Sequence, residues 1–339
     1  MRTATCETTG AMTLREVARP EVGPGELLVR VRACGVCGTD LLKLYSPDVA
    51  KPVQLGHEVV GEVAAVGAGV AGWQAGQRLA LAHHVPCYQC HYCRHGNVSM
   101  CATFKASNIR PGGFSEWVLA PAPHVRHTAL PLPDAMPDER AVFVEPLACC
   151  VRALRRAPVQ PGDTALIVGA GAMGLLFLAL LQSHGCQALM LDLKPERLAL
   201  AQQWGAAAAI NPAHNHVAAE VRQASSGRGV DLAILTVANG ATLTQAVDLV
   251  RDGGTIVIFG AKAGDQPAPA DLWEIYRREL TLLSAYSAAP EDLHTALALL
   301  QRPDFPLERL VTHQYALDDI NEAMTVSYAQ QALKVIIRP

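Results

Sequence analysis

Apolar positions change their period twice along this chain. At 27–33 (LLVRVRA) they alternate with arginines, the pattern of a strand that turns one face to a core. At 59–70 (VVGEVAAVGAGV) an apolar run is broken by glycines, which predicts the bends of a small barrel. Residues 1–80 therefore read as all-β, and 112–118 (GGFSEWV) returns to a strand. A proline-spaced link at 121–137 leads to an apolar stretch at 141–155. Beyond it, apolar runs at 165–168, 188–191, 231–235 and 255–259 are separated by helical patterns at 175–183, 195–204 and 240–251. The last of these runs is entered through Gly253 and Gly254. Strands alternating with helices predict a doubly wound parallel sheet. From 288 onward two helical stretches, 290–301 and 317–329, precede a final strand at 334–337.

At 339 residues the chain exceeds the usual size of one core, so two domains are expected. Half of it is hydrophobic and 17% is charged, the balance of a compact globular protein. A net charge of −3 without a basic block gives no support to a nucleic-acid surface. The start, MRTATCETTG, lacks the apolar core of a signal peptide, which points to the cytoplasm. The uncharged stretch 165–181 touches the lower length limit of a membrane span, but glycines fill its first half and no second such segment exists. No membrane association is expected.

That same stretch carries the first chemical signal. An apolar strand at 165–168 runs into Gly169-Ala170-Gly171-Ala172-Met173-Gly174, then a helix, then a second strand that closes on Asp192. In a dinucleotide site Gly169 permits the tight turn, Gly171 lets a pyrophosphate approach the backbone, and Gly174 brings helix and strand together. The helix start adds N–H groups and a positive dipole end, and Asp192 accepts from the adenosine ribose hydroxyls. A glycine turn with no ligand is the plainer reading, and the order strand, turn, helix, acid argues against it.

The ten cysteines carry the second signal. Cys87-x2-Cys90-x2-Cys93-x7-Cys101 places four thiols in one polar loop, enough to fill a tetrahedral zinc and leave no substrate position, hence a structural metal. An iron–sulfur motif would continue with a short spacing and a proline, whereas Ala102 follows Cys101. Disulfides are disfavoured in a reducing compartment, and His91 and His95 read as solvated. Upstream, Cys37, His57 and Glu58 offer thiolate, imidazole and carboxylate, a complete set for a catalytic zinc with one open position. Singly, the cysteine and the histidine have plainer roles: a buried or incidental thiol and a structural imidazole. Cys34 reads as strand packing. Glu145, between apolar residues in FVEPLA, is either a buried carboxylate that needs a partner such as a metal or a helix-start acid beside a proline. The loop 211–216 (NPAHNH) is assigned no metal.

Together these motifs resemble the zinc-dependent medium-chain alcohol dehydrogenases over essentially the whole chain. The zinc signature Gly56-His57-Glu58-x2-Gly61-x5-Gly67-x2-Val70 is complete, and Cys37-Gly38-Thr39-Asp40, the four-cysteine lobe and GAGAMG follow family order. Val144-Glu145-Pro146-Leu147 is similar to the polyol branch, with its sorbitol, galactitol-phosphate and threonine dehydrogenases. The resemblance implies an α/β fold of two domains: a GroES-like, barrel-type catalytic domain at 1–150, a Rossmann domain at 151–285, and a tail, 286–339, that returns to the first. It implies one catalytic zinc at Cys37, His57, Glu58 and Glu145, and one structural zinc at Cys87, Cys90, Cys93 and Cys101. The dinucleotide contacts would come from Gly169, Gly171, Met173, Gly174, Asp192 and Arg197. Asp192 repels a 2′-phosphate, which favours NAD over NADP, although Lys194 and Arg197 soften the preference. Thr39 would accept the alcohol proton, and Asp40 would orient His57.

The implied activity is reversible oxidation of a secondary alcohol (a polyol, cyclitol or sugar derivative) to the ketone by hydride transfer to NAD. An amino-alcohol dehydrogenase is the nearest alternative, and a non-catalytic zinc- and NAD-binding protein the alternative of another class. A homodimer or homotetramer is implied. Two positions depart from the family: Leu42 stands where many members carry a relay histidine, and Ser287 where sorbitol enzymes carry an arginine. Both argue against sorbitol itself. Tyr45, Phe104, Trp117 and Tyr286 are candidate pocket residues.

Overall fold

The structure, a computed structural model, describes residues 1–261, 271–305 and 307–339. The chain forms two compact units, Met1–Ala148 with Ala288–Pro339, and Cys149–Ser287.

In the first unit the alternating segment forms the strand Leu27–Gly35, with Leu27, Val29 and Val31 buried and Arg30 and Arg32 exposed. Its neighbours are Glu58–Val66 on one edge and Lys334–Arg338 on the other, both antiparallel. The sheet continues through Arg78–Leu81 and Ala129–Pro131 on one side and Val311–Ala316 on the other, while Trp117–Ala120 also pairs with Leu27–Gly35. Register shifts between Val31 and Ala33, and between Leu28 and Val29, bend the long pair as a barrel requires. Val59, Val63, Leu79, Leu81, Phe114 and Val118 form one core with Ile320, Met324 and Ile337 from the tail.

Residues 1–80 are not all-β. Gly38–Tyr45 is a helix with Cys37 as its N-cap: the Cys37 amide donates to Asp40 Oδ2 at 3.0 Å. Leu44 turns fully inward from it. The glycine and the short polar residues at its start look like a turn in sequence, and capping converts them into the first turn of a helix. The proline-spaced link likewise holds a helix, Ala122–His127, and the strand Ala129–Pro131. Val311–Ala316 went unread because its side chains are only half-buried or exposed.

In the second unit six parallel strands stand in the order Ala208–Ile210, Gln187–Leu191, Thr164–Val168, Val230–Leu235, Val250–Ile258, Thr281–Ser284. Thr164–Val168 is buried at every position, as a central parallel strand must be. The chain order reverses beside it, so its carboxyl end is the topological switch point where doubly wound sheets bind ligands. Ala172–Ser183 follows that strand and is buried from Gly174 to Leu181. No described helix is long and apolar enough to cross a membrane. Val250–Ile258 begins before Gly253 and Gly254 rather than after them. Ala208–Ile210, Val217–Ala224, Leu272–Arg277 and Thr281–Ser284 are further elements that the periodicity does not reveal.

Candidate zinc and dinucleotide sites

The antiparallel pair Leu27–Gly35 and Glu58–Val66 brings the first constellation together. Its register sets Gly35 opposite Glu58, so the residues after one strand face those before the other. The ligand atoms of Cys37, His57 and Glu58 all lie within 4.8 Å of one another. Asp40, fully buried, organises the group. Its Oδ1 accepts from the Gly56 amide at 3.1 Å and faces His57 Nδ1 at 3.3 Å, while Oδ2 accepts from the Cys37 amide. Burial alone would raise the Asp40 carboxyl. The charge of His57 and the hydrogen bonds from His57, Gly56 and Cys37 outweigh it and hold the carboxyl below its ordinary range. Burial would likewise lower His57, but the charges of Asp40 and Cys37 raise it well above its usual value. With Nδ1 directed to Asp40, His57 keeps Nε2 for a metal, the arrangement typical of ligating histidines.

Glu58 has a second claimant that the sequence reading missed. Both carboxylate oxygens are buried, neither accepts a hydrogen bond of ordinary geometry, and the ammonium of Lys334 forms an ion pair with Oε2. Lys334 is itself buried and donates to the Val36 carbonyl at 3.2 Å. Burial would lower its pKa, and the charge of Glu58, with those of Cys37 and Glu145, raises it. Gly35 makes room for this pair, since a Cβ there would overlap Glu58 Oε2. Glu145 is buried on the first turn of Val144–Arg156, close enough for its charge to act on Lys334, but its carboxylate is not part of the converging group. Thr39 is exposed, its amide 3.5 Å from Cys37 Sγ, and Leu42 is exposed. Cys34 is fully buried, as packing requires.

Sulfur atoms of Cys87, Cys90, Cys93 and Cys101 also converge within 4.8 Å. Neighbouring separations are 3.5 Å for Cys90–Cys93, 3.6 Å for Cys87–Cys101 and 4.0 Å for Cys87–Cys93. A tetrahedron with zinc–sulfur bonds of about 2.3 Å has edges of about 3.8 Å, so the four thiols fit zinc. No cysteine forms a disulfide. Of the candidate pocket residues, Phe104 is fully buried core, Trp117 lies under the Arg19 guanidinium, Tyr45 packs on Tyr328, and Tyr286 is exposed.

In the second unit, Gly169 has φ +102°, a backbone region that favours glycine. A Cβ on Gly174 would overlap the Gly169 carbonyl, so this glycine is needed for helix and turn to close. A Cβ on Gly171 would meet only Arg197 Nη1, at 3.7 Å, which leaves the turn open toward a ligand. Met173 is half-buried in the first helical turn. Asp192 ties the turn down: Oδ2 accepts from the Ala170 amide at 2.7 Å and Oδ1 from the Lys194 amide at 2.8 Å, with Arg197 Nη1 3.9 Å from Oδ2.

Two family models match the chain, the alcohol dehydrogenase GroES-like domain at residues 23–134 and the zinc-binding dehydrogenase at residues 172–302. D-Altritol 5-dehydrogenase of Agrobacterium fabrum is 34% identical over 92% of this chain and 91% of its own. Sorbitol dehydrogenase of Bacillus subtilis is 30% identical over 100% and 97%. A zinc-binding dehydrogenase from Sinorhizobium meliloti, solved bound to NADP, superposes with a TM-score of 0.90 at 30% identity, covering 100% of this chain and 99% of that one. The chain belongs to the zinc-dependent medium-chain alcohol and polyol dehydrogenases, oxidoreductases that act on CH–OH donors.

Proposed function

We propose that this protein oxidises a secondary alcohol of a polyol, cyclitol or sugar derivative, reversibly, with NAD. The observation that carries the reading is the convergence of Cys37, His57 and Glu58 around a histidine whose other nitrogen is held by Asp40. Relatives named for altritol and sorbitol support the substrate class. Cys37, His57 and Glu58 would hold the catalytic zinc, with Glu145 binding it directly or through its water, and Cys87, Cys90, Cys93 and Cys101 would hold the structural one. Zinc there supplies Lewis acidity toward the alcohol oxygen. Asp40 fixes the tautomer of His57, and the exposed Thr39 hydroxyl takes the alcohol proton toward solvent, since Leu42 offers no relay. The Gly169–Gly174 turn receives the pyrophosphate. Asp192 stands beside it as the acid that would take the ribose hydroxyls and disfavour a 2′-phosphate, selecting NAD, with Arg197 near the adenine side.

Ten free thiols fit a reducing, cytoplasmic setting. A homo-oligomer is supported by the edge strand Thr281–Ser284, whose Leu282 is exposed, beside the exposed Leu272, Trp273 and Tyr276. Gel filtration with light scattering tests it, and a monomer at micromolar concentration would refute it.

The deciding experiment follows NADH formation by metal-analysed protein against polyols, cyclitols, their phosphates and amino alcohols. NADH from the polyol class, abolished by chelation and by Cys37→Ser, is expected. Turnover of amino alcohols alone would replace the substrate class. Silence across the panel with NAD still bound would favour a non-catalytic binder.

A further inference from the structure

The strand Val230–Leu235 ends on a hydroxyl that has no part in the sites described above. Thr236 follows it directly and is half-buried. Parallel pairing sets Leu235 beside Val168, so the next residue of each strand leaves the sheet at the same level. Those residues are Thr236 and Gly169, the first glycine of the GAGAMG turn. The Thr236 amide donates to the Val168 carbonyl at 3.1 Å, and Oγ1 donates to the same oxygen at 2.8 Å. The Gly169 carbonyl lies 3.4 Å from Oγ1, a second and weaker acceptor for its one proton.

Glycine at 169 is what admits this side chain. A Cβ there would overlap Thr236 Oγ1, so the hydroxyl fills the space that the missing side chain leaves. The turn is thereby held on both flanks. On one, the Gly169 amide donates to the Leu191 carbonyl at 2.8 Å and Asp192 accepts from the Ala170 amide. On the other, Thr236 reaches the carbonyls that precede and follow the Gly169 α-carbon. Thr236 is itself anchored through its neighbours. The Ala238 amide donates to the Gly260 carbonyl at 2.6 Å, and Thr242 Oγ1 donates to the Val237 carbonyl at 2.9 Å. Asn239 caps the helix Gly240–Leu249, its side chain accepting from the Thr242 amide at 3.0 Å. A side chain on so constrained a backbone acts as a strut. A turn set in place before an anion arrives binds it more tightly, because less ordering accompanies binding.

We propose that Thr236 is a positioning residue for the dinucleotide: its hydroxyl holds the Gly169 peptide in the conformation that receives the pyrophosphate, acting through the turn and not on the ligand. The inference rests on the dehydrogenase reading above and adds a residue to its cofactor site. Sequence gives no sign of it, since 67 positions separate Thr236 from Gly169.

Three readouts test it: NAD binding by calorimetry, steady-state NADH formation, and amide hydrogen exchange of the NAD-free protein. Thr236→Val keeps the β-branched shape and removes the hydroxyl, while the Val168 carbonyl retains its amide donor. The dissociation constant and the KM for NAD should both rise about fivefold, the scale of one lost hydrogen bond. The kcat at saturating NAD and the KM for the alcohol should change less than about twofold. Without NAD, exchange should quicken across 168–174 and stay unchanged in 230–235. Thr236→Ser, which restores the hydroxyl, should return affinity and protection to the wild-type level. A valine variant that binds NAD like wild type would overturn the proposal, as would a serine variant as weak as the valine one. Exchange that quickens evenly through the sheet, or a valine variant that does not fold, would make the hydroxyl structural and overturn it too. A wild type that binds no NAD would overturn both this proposal and the dehydrogenase reading. NAD binding weakened by valine and restored by serine, with no NADH from any alcohol, would leave this proposal standing and sink the dehydrogenase reading alone.

Discussion

The buried pair of Glu58 and Lys334 concentrates most of the electrostatic risk in the first unit. Each is almost wholly shielded, and neither has another charged group as close. Removing one partner of a buried pair strands the other, at about 3–5 kcal/mol. Lys334→Met is therefore expected to destabilise the zinc-free protein by about that amount, read from urea unfolding. Adding Glu58→Gln should restore most of it, because the stranded charge is gone. A double variant as unstable as the single would show that lysine packing, not the ion pair, is at stake. Zinc should rescue Lys334→Met more than wild type, since a cation next to Glu58 replaces the lost one. The sequence shows Glu58 beside His57 but gives no sign of Lys334. A lysine that opens an apolar strand looks like a solvated end, and only strand pairing reveals that it points at a carboxylate some 276 positions away (334 minus 58).

Among elements, the glycine turn was fully legible, because strand, turn, helix and acid are contiguous and each has a local reason. Its glycines nevertheless differ in kind. Gly174→Ala should cost about 1–3 kcal/mol of stability through overlap with the Gly169 carbonyl. Gly171→Ala should change stability by less than about 0.5 kcal/mol, yet weaken NAD binding, because its neighbourhood is open where the pyrophosphate would lie. Thermal unfolding with and without NAD separates the two; equal destabilisation would refute the distinction. The sheet of the first unit was less legible, since its strands are joined by charges distant in sequence. Asp138 receives Arg78 at 2.5 Å, Arg32 at 3.1 Å and Arg338 at 3.4 Å, from three different strands. Burial would raise its carboxyl, but the hydrogen bonds of Arg78 and Arg32 and their charges bring it below the ordinary 3.8. A folded-state pKa below the unfolded one means stability that is present above about pH 4 and lost as pH falls through the lower value. Asp138→Asn should thus lower stability at neutral pH and flatten the acid limb below about pH 4. An unchanged acid limb would remove Asp138 from the account.

At the scale of the whole molecule, the discontinuity of the first unit is what sequence periodicity alone could not show. Periodicity marks a final strand at 334–337, but nothing local says which sheet it enters; the family resemblance supplied that expectation. The structure gives the physical reason the tail cannot be spared. Lys334–Arg338 lies between Val311–Ala316 and Leu27–Gly35, with Ile336 paired to Gly35 and Ile337 to Cys34. Its Val335 and Ile337 complete the core formed by Val29, Val31, Leu79 and Phe114. A chain ended at Ser287 would expose that core and leave Leu27–Gly35 with an unpaired edge next to Cys37, a template for aggregation. It would also strip Lys334 from Glu58. Such a truncation is expected to be insoluble or to lose the zinc of the Cys37 constellation, whereas removing Pro339 alone should leave solubility and metal content unchanged. Zinc analysis of the soluble fraction decides it. A soluble truncated chain that still holds its full zinc complement would show that the N-terminal strands fold without the tail, and that the core drawn here is not the one that stabilises them.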